Sequence, residues 1–192
     1  MEANINGADC VISQTGFTGE KGYEIYVRDT HENAEKVWNK VLEDGEEFGL
    51  MVIAPAHHRR IAAGILSWGQ DLDHETSPFQ VNLAYQVPRN KKSDYIGKAE
   101  LERQRDVIDS GDAPFKMKMV GITLGGKEIT DYAPDFWLVA DTDGNDMGYV
   151  TSPWWSPELE TNIALAWVPW SSSEIGTKSV SYTHLRAHET EA

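Results

Sequence analysis

The chain begins with apolar and polar residues arranged as two short strands. Residues 10–15 and 23–27 carry the strand pattern, and a connection containing Gly16, Gly19 and Gly22 separates them. A glycine at every third position is typical of a segment that turns. The pattern therefore predicts a strand, a Gly-rich connection and a second strand.

Helical periodicity follows. The first predicted helix is capped by Asp29 or Thr30, with Glu32 giving a box-like start, and Gly45 and Gly49 end it. A second helix is predicted to begin at Pro55, and residues 97–109 predict a third, highly charged one. The apolar face of the first helix consists of Ala34, Val37, Trp38, Val41 and Leu42.

The later part of the chain has mainly strand patterns. Residues 69–77 are polar and predict a loop, whereas residues 81–87 alternate with a strand's period. An Asp-Gly pair at 143–144 indicates a hairpin. Four further strands are predicted over residues 116–124, 136–140, 147–151 and 162–168.

This change of pattern places a domain boundary near residues 111–114. Residues 1–111 are predicted to be α+β, and residues 112–178 to form a small all-β barrel. Residues 179–192 have no periodicity and resemble translated sequencing-adapter read-through, so we expect a tail that is not native.

Composition narrows the class of protein. The 192 residues carry a formal charge of −14 and no basic stripe, which argues against nucleic acid and an anionic membrane surface as partners. Cys10 is the only cysteine, so disulfides within the chain and cysteine-based zinc sites are excluded. No apolar run reaches the roughly 18 residues of a membrane span, and no signal peptide is visible. We therefore expect a cytoplasmic protein.

Motifs for metal and phosphate binding fail on their spacing. Asp71, Asp73 and Glu75 resemble the start of a calcium loop, but Thr76 and Asn82 stand where that loop requires Gly and Glu. The adjacent histidines 57 and 58 would point about 100° apart on a helix. The Gly-rich connection lacks the Lys-Ser/Thr of a phosphate loop. No metal site is predicted, and these patterns alone give no reaction.

The Gly-rich connection and its strands resemble a known family. Residues 13–27 read Ser-Gln-Thr-Gly-Phe-Thr-Gly-Glu-Lys-Gly-Tyr-Glu-Ile-Tyr-Val, similar to the folate-binding segment of the glycine-cleavage T-protein family. Later segments resemble the family in the same order: Leu-Ser-Trp-Gly-Gln-Asp-Leu-Asp at 66–73, Tyr-Ile-Gly-Lys at 95–98, Gly-Tyr-Val-Thr-Ser at 148–152 and Asn-Ile-Ala-Leu-Ala at 162–166. The resemblance covers residues 10–178.

This resemblance implies the end of a folate-binding α+β domain followed by the C-terminal barrel. It implies tetrahydrofolate as cofactor, with Glu24 accepting N–H bonds from the pterin and Phe17 stacking beside it. Tyr26 is expected to face the substrate. The family's catalytic Asp lies in a first half that this chain lacks, so we expect the fragment to be inactive alone.

Three functions remain open. The segment opening the second helix has Ala56 where the T-protein proper has Arg, and residues 59–69 resemble the dimethylsulfoniopropionate demethylase-like branch. The first hypothesis is therefore transfer of a methyl group from a sulfonium-type small-molecule donor to tetrahydrofolate. The alternatives are aminomethyl transfer in glycine cleavage, with a lipoyl carrier protein as partner, and a non-enzymatic folate-binding paralogue. A homo-oligomer is compatible with the sequence.

Overall fold

The computed structural model describes residues 1–133 and 135–182. The chain forms two compact units, which we call the first unit (residues 1–65) and the second unit (residues 66–192, described to 182). The predicted boundary at 111–114 lies inside the second unit and stays a prediction. Most of the predicted tail, residues 183–192, lies outside the described residues.

The first unit contains a three-stranded antiparallel sheet in the order β1-β2-β3. An Asn-Gly pair at 6–7, with φ of 51° and 82°, turns the chain between β1 and β2 as a two-residue hairpin. The sequence prediction missed β1 although Asn-Gly is a strong hairpin signal. The strands are β1 (Glu2–Ile5), β2 (Ala8–Ser13) and β3 (Glu24–Val27).

Two helices belong to the first unit. Helix α1 (Thr30–Gly45) packs its Val37 against Ala8 and Cys10 of β2. It ends at the predicted Gly45, before a short 3-10 helix (Glu46–Phe48). Of the two predicted caps, Asp29 stands at the N-cap position but has a left-handed φ of 47° and makes no side-chain capping hydrogen bond, and Thr30 is the first residue of the helix. Helix α2 (His57–Ala62) begins two residues after the predicted Pro55.

A five-stranded antiparallel sheet, in the order β4-β7-β6-β5-β8, forms the core of the second unit. Its strands are β4 (Met117–Leu124), β5 (Trp137–Ala140), β6 (Asp146–Ser156), β7 (Thr161–Pro169) and β8 (Val180–Tyr182). Helix α3 (Lys98–Asp109) and the hairpin at residues 143–144 lie where the sequence predicts them. The buried core cluster is Val139, Val150, Ala164, Ala166 and Val168. The predicted α+β fold class is confirmed.

The strand predicted over residues 81–87 is wrong. Asn82 has a φ of 61°, which breaks the extended backbone, and a short 3-10 helix (Ala84–Gln86) follows. The segment still satisfies its polar groups on β4: the Gln80 carbonyl accepts the Met119 N–H at 2.8 Å, and the Asn82 amide donates to the Met119 carbonyl at 2.9 Å. Two contacts to β4 thus replace the expected ladder of backbone bonds.

Candidate functional site

An exposed carboxylate, that of Glu24, follows the Gly-rich connection of the first unit. Glu24 is the first residue of β3 and pairs with Ser13 across the sheet. Its Oε2 accepts hydrogen bonds from the hydroxyls of Thr15 and Tyr26, the latter at 3.0 Å. Its Oε1 accepts no hydrogen bond from the residues that the structure describes. The carboxylate is therefore held in place on one oxygen and open to a donor on the other.

Tyr26 lies two residues after Glu24, so both side chains project from the same face of β3. The ring of Tyr26 is 55% exposed while its hydroxyl is bound to Glu24. The structure thus brings together the predicted pterin ligand and the predicted substrate residue. A Tyr held this way offers an accessible aromatic face next to a negative charge.

Phe17, the third predicted site residue, contacts the second helix. The guanidinium carbon of Arg60 lies 5.9 Å from the centre of the Phe17 ring, within the range of a cation–π contact. The ring itself is 49% exposed. One face of Phe17 is thereby placed near a cation, and half of its surface stays accessible to a ligand.

Arg60 is fixed from within the first unit. It is 2% exposed, and its guanidinium donates to the Ile65 carbonyl at 3.1 Å and to Nδ1 of His57 at 3.4 Å. Burial, and then the positive charge of Arg60, lower the pKa of His57 below its ordinary value. His57 is therefore neutral at pH 7, which suits an Nδ1 that accepts a hydrogen bond.

Close packing positions the Gly-rich connection on the end of α2. Gly19 has a φ of 77°, and a Cβ at this position would lie 2.4 Å from Cβ of Ala63. Only a residue without a side chain fits that approach. Gly16, in the same connection, has nothing within 4 Å of its Cβ position. The contact at Gly19 therefore fixes this connection against the segment that carries Arg60.

Sequence reasoning missed Thr15 and Arg60 as members of this site. Arg60 lies within α2, four residues after the N-cap Ala56, where the resemblance leads us to expect an Arg. An Arg close to that position was the available signal for a nearby cation. Thr15 carried no signal, since its contact with Glu24 depends on how the connection folds back.

Across residues 1–133 and 135–182, no three His, Cys, Asp or Glu side chains are grouped so that they could hold a metal ion. None of the helices in the described part of the chain is both long and apolar enough to cross a membrane.

Two family matches agree with this architecture. Residues 1–91 match the GCVT N-terminal domain, and residues 118–188 match the glycine cleavage T-protein C-terminal barrel domain. The predicted C-terminal barrel is thereby confirmed. The two matches follow one another along the chain and together span most of it. The chain belongs to the glycine cleavage T-protein family.

Two similar proteins are both named aminomethyltransferase. The chain is 34% identical over 179 residues to an aminomethyltransferase of Geobacillus sp. (strain WCH70), a match that covers 92% of this chain and 46% of the relative. An aminomethyltransferase of Bacillus subtilis (strain 168) is 33% identical over 178 residues, with the same coverage of 92% and 46%. The chain thus spans about half the length of these relatives. Their names support the family but not the demethylase-like branch.

A solved structure supports the fold. The crystal structure of glycine cleavage system aminomethyltransferase T from Bartonella henselae matches with a TM-score of 0.66 and 24% identity. The match covers 88% of this chain and 46% of that one. At this identity the likeness shows the fold alone.

Proposed function

We propose that this chain is the tetrahydrofolate-binding part of a one-carbon transferase, and that the group transferred is an aminomethyl group. The observation that carries the proposal is the exposed Glu24 carboxylate, held on Oε2 by Thr15 and Tyr26. It stands in the segment that resembles the family's folate-binding segment. Both relatives described above are named aminomethyltransferase, which favours an aminomethyl donor over a sulfonium donor.

Glu24 has the chemistry that a pterin requires. A pterin edge presents two parallel N–H donors, and a carboxylate accepts such a pair. One donor would use the open Oε1, and the other would displace a hydroxyl from Oε2. The hydroxyls of Thr15 and Tyr26 can rotate away, so the exchange leaves each free to bond elsewhere.

The other residues orient the ligand. The exposed half of Phe17 offers a flat apolar face for a ring, while Arg60 and the contact at Gly19 keep that face in position. Tetrahydrofolate, when bound, supplies the nitrogen that receives the one-carbon unit. The catalytic Asp is expected outside this chain, in the first half that the longer relatives possess.

The choice of donor determines which partner is expected. An aminomethyl donor implies a lipoyl carrier protein, whereas a sulfonium-type donor would be a free small molecule. The cytoplasmic location and a homo-oligomer stay predictions. Aminomethyl transfer is favoured by the names of the relatives, while Ala56 in place of Arg is the observation that keeps methyl transfer as a second candidate.

Product analysis distinguishes the two donors. The chain would be joined behind the first half of the Bacillus subtilis relative, and tetrahydrofolate products would be separated by chromatography after incubation with each donor. We expect 5,10-methylene-tetrahydrofolate with release of ammonia from an aminomethyl-lipoyl donor. Formation of 5-methyl-tetrahydrofolate from a sulfonium donor would instead establish the demethylase-like reaction.

A control separates folding from chemistry. The same joined polypeptide would be titrated with tetrahydrofolate by calorimetry. Folate binding without either product would favour the non-enzymatic paralogue, and a folded polypeptide that does not bind folate would contradict the whole proposal.

A further inference from the structure

An open pocket with a volume of about 380 Å³ lies within the second unit. This volume is sufficient for a small molecule. The loop after Leu66 contributes Asp73 and Glu75 to the lining, the sheet contributes Tyr149 and Trp167, and Phe136 lies directly before β5. Acidic and aromatic side chains therefore line the same cavity.

The charge of the lining has a single sign. Three carboxylates, those of Asp71, Asp73 and Glu75, belong to it, and the described residues that line the pocket include no Lys, Arg or His. The pKa of the Tyr149 phenol is raised by burial and then by the negative charge of Asp73. The carboxylate of Asp73 is thus close enough to the aromatic wall to affect it, and an anion would be repelled.

The aromatic wall is built for contact with a cation. The rings of Phe136 and Tyr149 are stacked, with centres 5.3 Å apart and planes 19° apart. Phe136 is 44% exposed, so part of its ring is open to solvent. The faces of such rings carry negative potential and attract organic cations, which lose less hydration than metal ions when they bind.

Hydrogen bonds to the sheet fix the start of the acidic loop without a ligand. Oδ1 of Asp71 accepts hydrogen bonds from the hydroxyls of Thr151 at 2.5 Å and Ser152 at 2.6 Å, and Oδ2 accepts the Ser67 N–H at 2.7 Å. The Trp167 indole donates to the Asp71 carbonyl at 2.9 Å. These bonds attach the start of the loop to β6 and β7, so binding would cost little ordering of that segment.

We propose that this pocket binds a small organic ammonium cation, with the stacked Phe136 and Tyr149 rings against the cation and Asp73 and Glu75 supplying the opposite charge. Each of these groups favours a positive ligand. The proposal is independent of folate binding, since neither Glu24 nor Phe17 lines the pocket.

A pair of probes with the same shape tests the proposal on the unmodified chain. Choline and 3,3-dimethylbutan-1-ol differ in charge but hardly in size, and each would be titrated by calorimetry. We expect choline to saturate one site with a Kd on the order of 1 mM, and the neutral alcohol to bind about tenfold more weakly. Equal affinities, or no saturation by choline at roughly 50 mM, would overturn the proposal.

Two substitutions then locate the site. Phe136→Leu should weaken choline binding roughly fivefold and leave the neutral alcohol unaffected. Asp73→Asn keeps the Oδ1 that accepts the Glu75 N–H, so it should lower choline affinity about threefold without disturbing the loop. Asp143→Asn, on the β5–β6 hairpin outside the pocket, is the matched control. Equal losses in all three variants would show that choline binds elsewhere, against the proposal.

Discussion

The two units of this chain differ in how they use their apolar residues. In the second unit, the central strands bury a continuous cluster that includes Val139, Val150 and Ala166. In the first unit, one buried cluster consists of Ala8, Cys10 and Val37, and Ile61 is buried as well. Large apolar side chains of the first unit remain exposed, among them Phe48, Met51, Val52 and Ile53. The candidate folate residues thus belong to the unit with the smaller core.

This difference indicates separate sources of stability and function. A contiguous exposed apolar surface in a folded protein usually contacts another surface. The chain spans about half the length of the curated relatives it matches. In the second unit, the buried Asp71 carboxylate accepts hydrogen bonds from the hydroxyls of Thr151 and Ser152 and from the Ser67 N–H.

Removing the buried carboxylate of the second unit should have the largest effect. Asp71 is 1% exposed, and Asp71→Ala would leave two hydroxyls and a backbone N–H without their acceptor. We expect a loss of about 3 kcal/mol in the free energy of unfolding. Urea unfolding followed by tryptophan fluorescence measures it, because only Trp38 of the seven tryptophans lies in the first unit.

Asp143→Ala is the control for that variant, since Asp143 is exposed in a hairpin turn. A loss below about 1 kcal/mol for Asp71→Ala, similar to a surface substitution, would show that the second unit does not depend on this network.

A smaller effect is expected where the first unit packs its Gly-rich connection on α2. Gly19→Ala places a Cβ 2.4 Å from that of Ala63 and requires a left-handed residue, so we expect a loss of about 1–2 kcal/mol. Hydrogen exchange of residues 14–23 would report the loosened contact. Gly16→Ala, which meets nothing within 4 Å, should leave exchange unchanged. Equal protection in both variants would mean that Gly19 does not position the connection.

The mildest effect concerns pH. The pKa of His57 in the folded chain lies below its ordinary value of 6.5, so the unfolded chain takes up a proton first as the pH falls. Stability of the first unit should therefore be complete above pH 6.5 and decline as the pH drops toward the lowered folded pKa. His57→Gln should flatten that decline in urea unfolding at pH 5 to 7, and His58→Gln should not. An unchanged slope in His57→Gln would assign the decline to another group.

The sequence predicted the regular parts of the molecule better than its junctions. Helix α1 was located because its apolar face repeats with a helical period, and β6 and β7 because their strands are strongly apolar. The strand prediction for residues 81–87 was wrong because alternation of apolar and polar residues also arises outside strands. It arises where side chains alternately enter a core and hydrogen-bond to a neighbouring strand. The pattern of apolar and polar residues contains no information about the positive φ of Asn82.

The candidate site was predicted only where local geometry brings its residues together. Glu24 and Tyr26 are two apart on one strand, so their shared face follows from local geometry. The contact between Phe17 and Arg60 joins a turn to a helix more than forty residues later, and no local period indicates it. The roles of these residues in binding remain predictions.

The central claim is that the Glu24 carboxylate binds the pterin, and one titration tests it directly. Tetrahydrofolate would be titrated by calorimetry into the joined polypeptide described above, into its Glu24→Ala variant and into its Glu20→Ala variant, which removes an exposed carboxylate from the same connection. We expect Glu24→Ala to weaken binding by about 2 kcal/mol, roughly thirtyfold, and Glu20→Ala to bind like the unsubstituted polypeptide. Equal affinities for all three polypeptides, or no binding by the unsubstituted one, would contradict the claim.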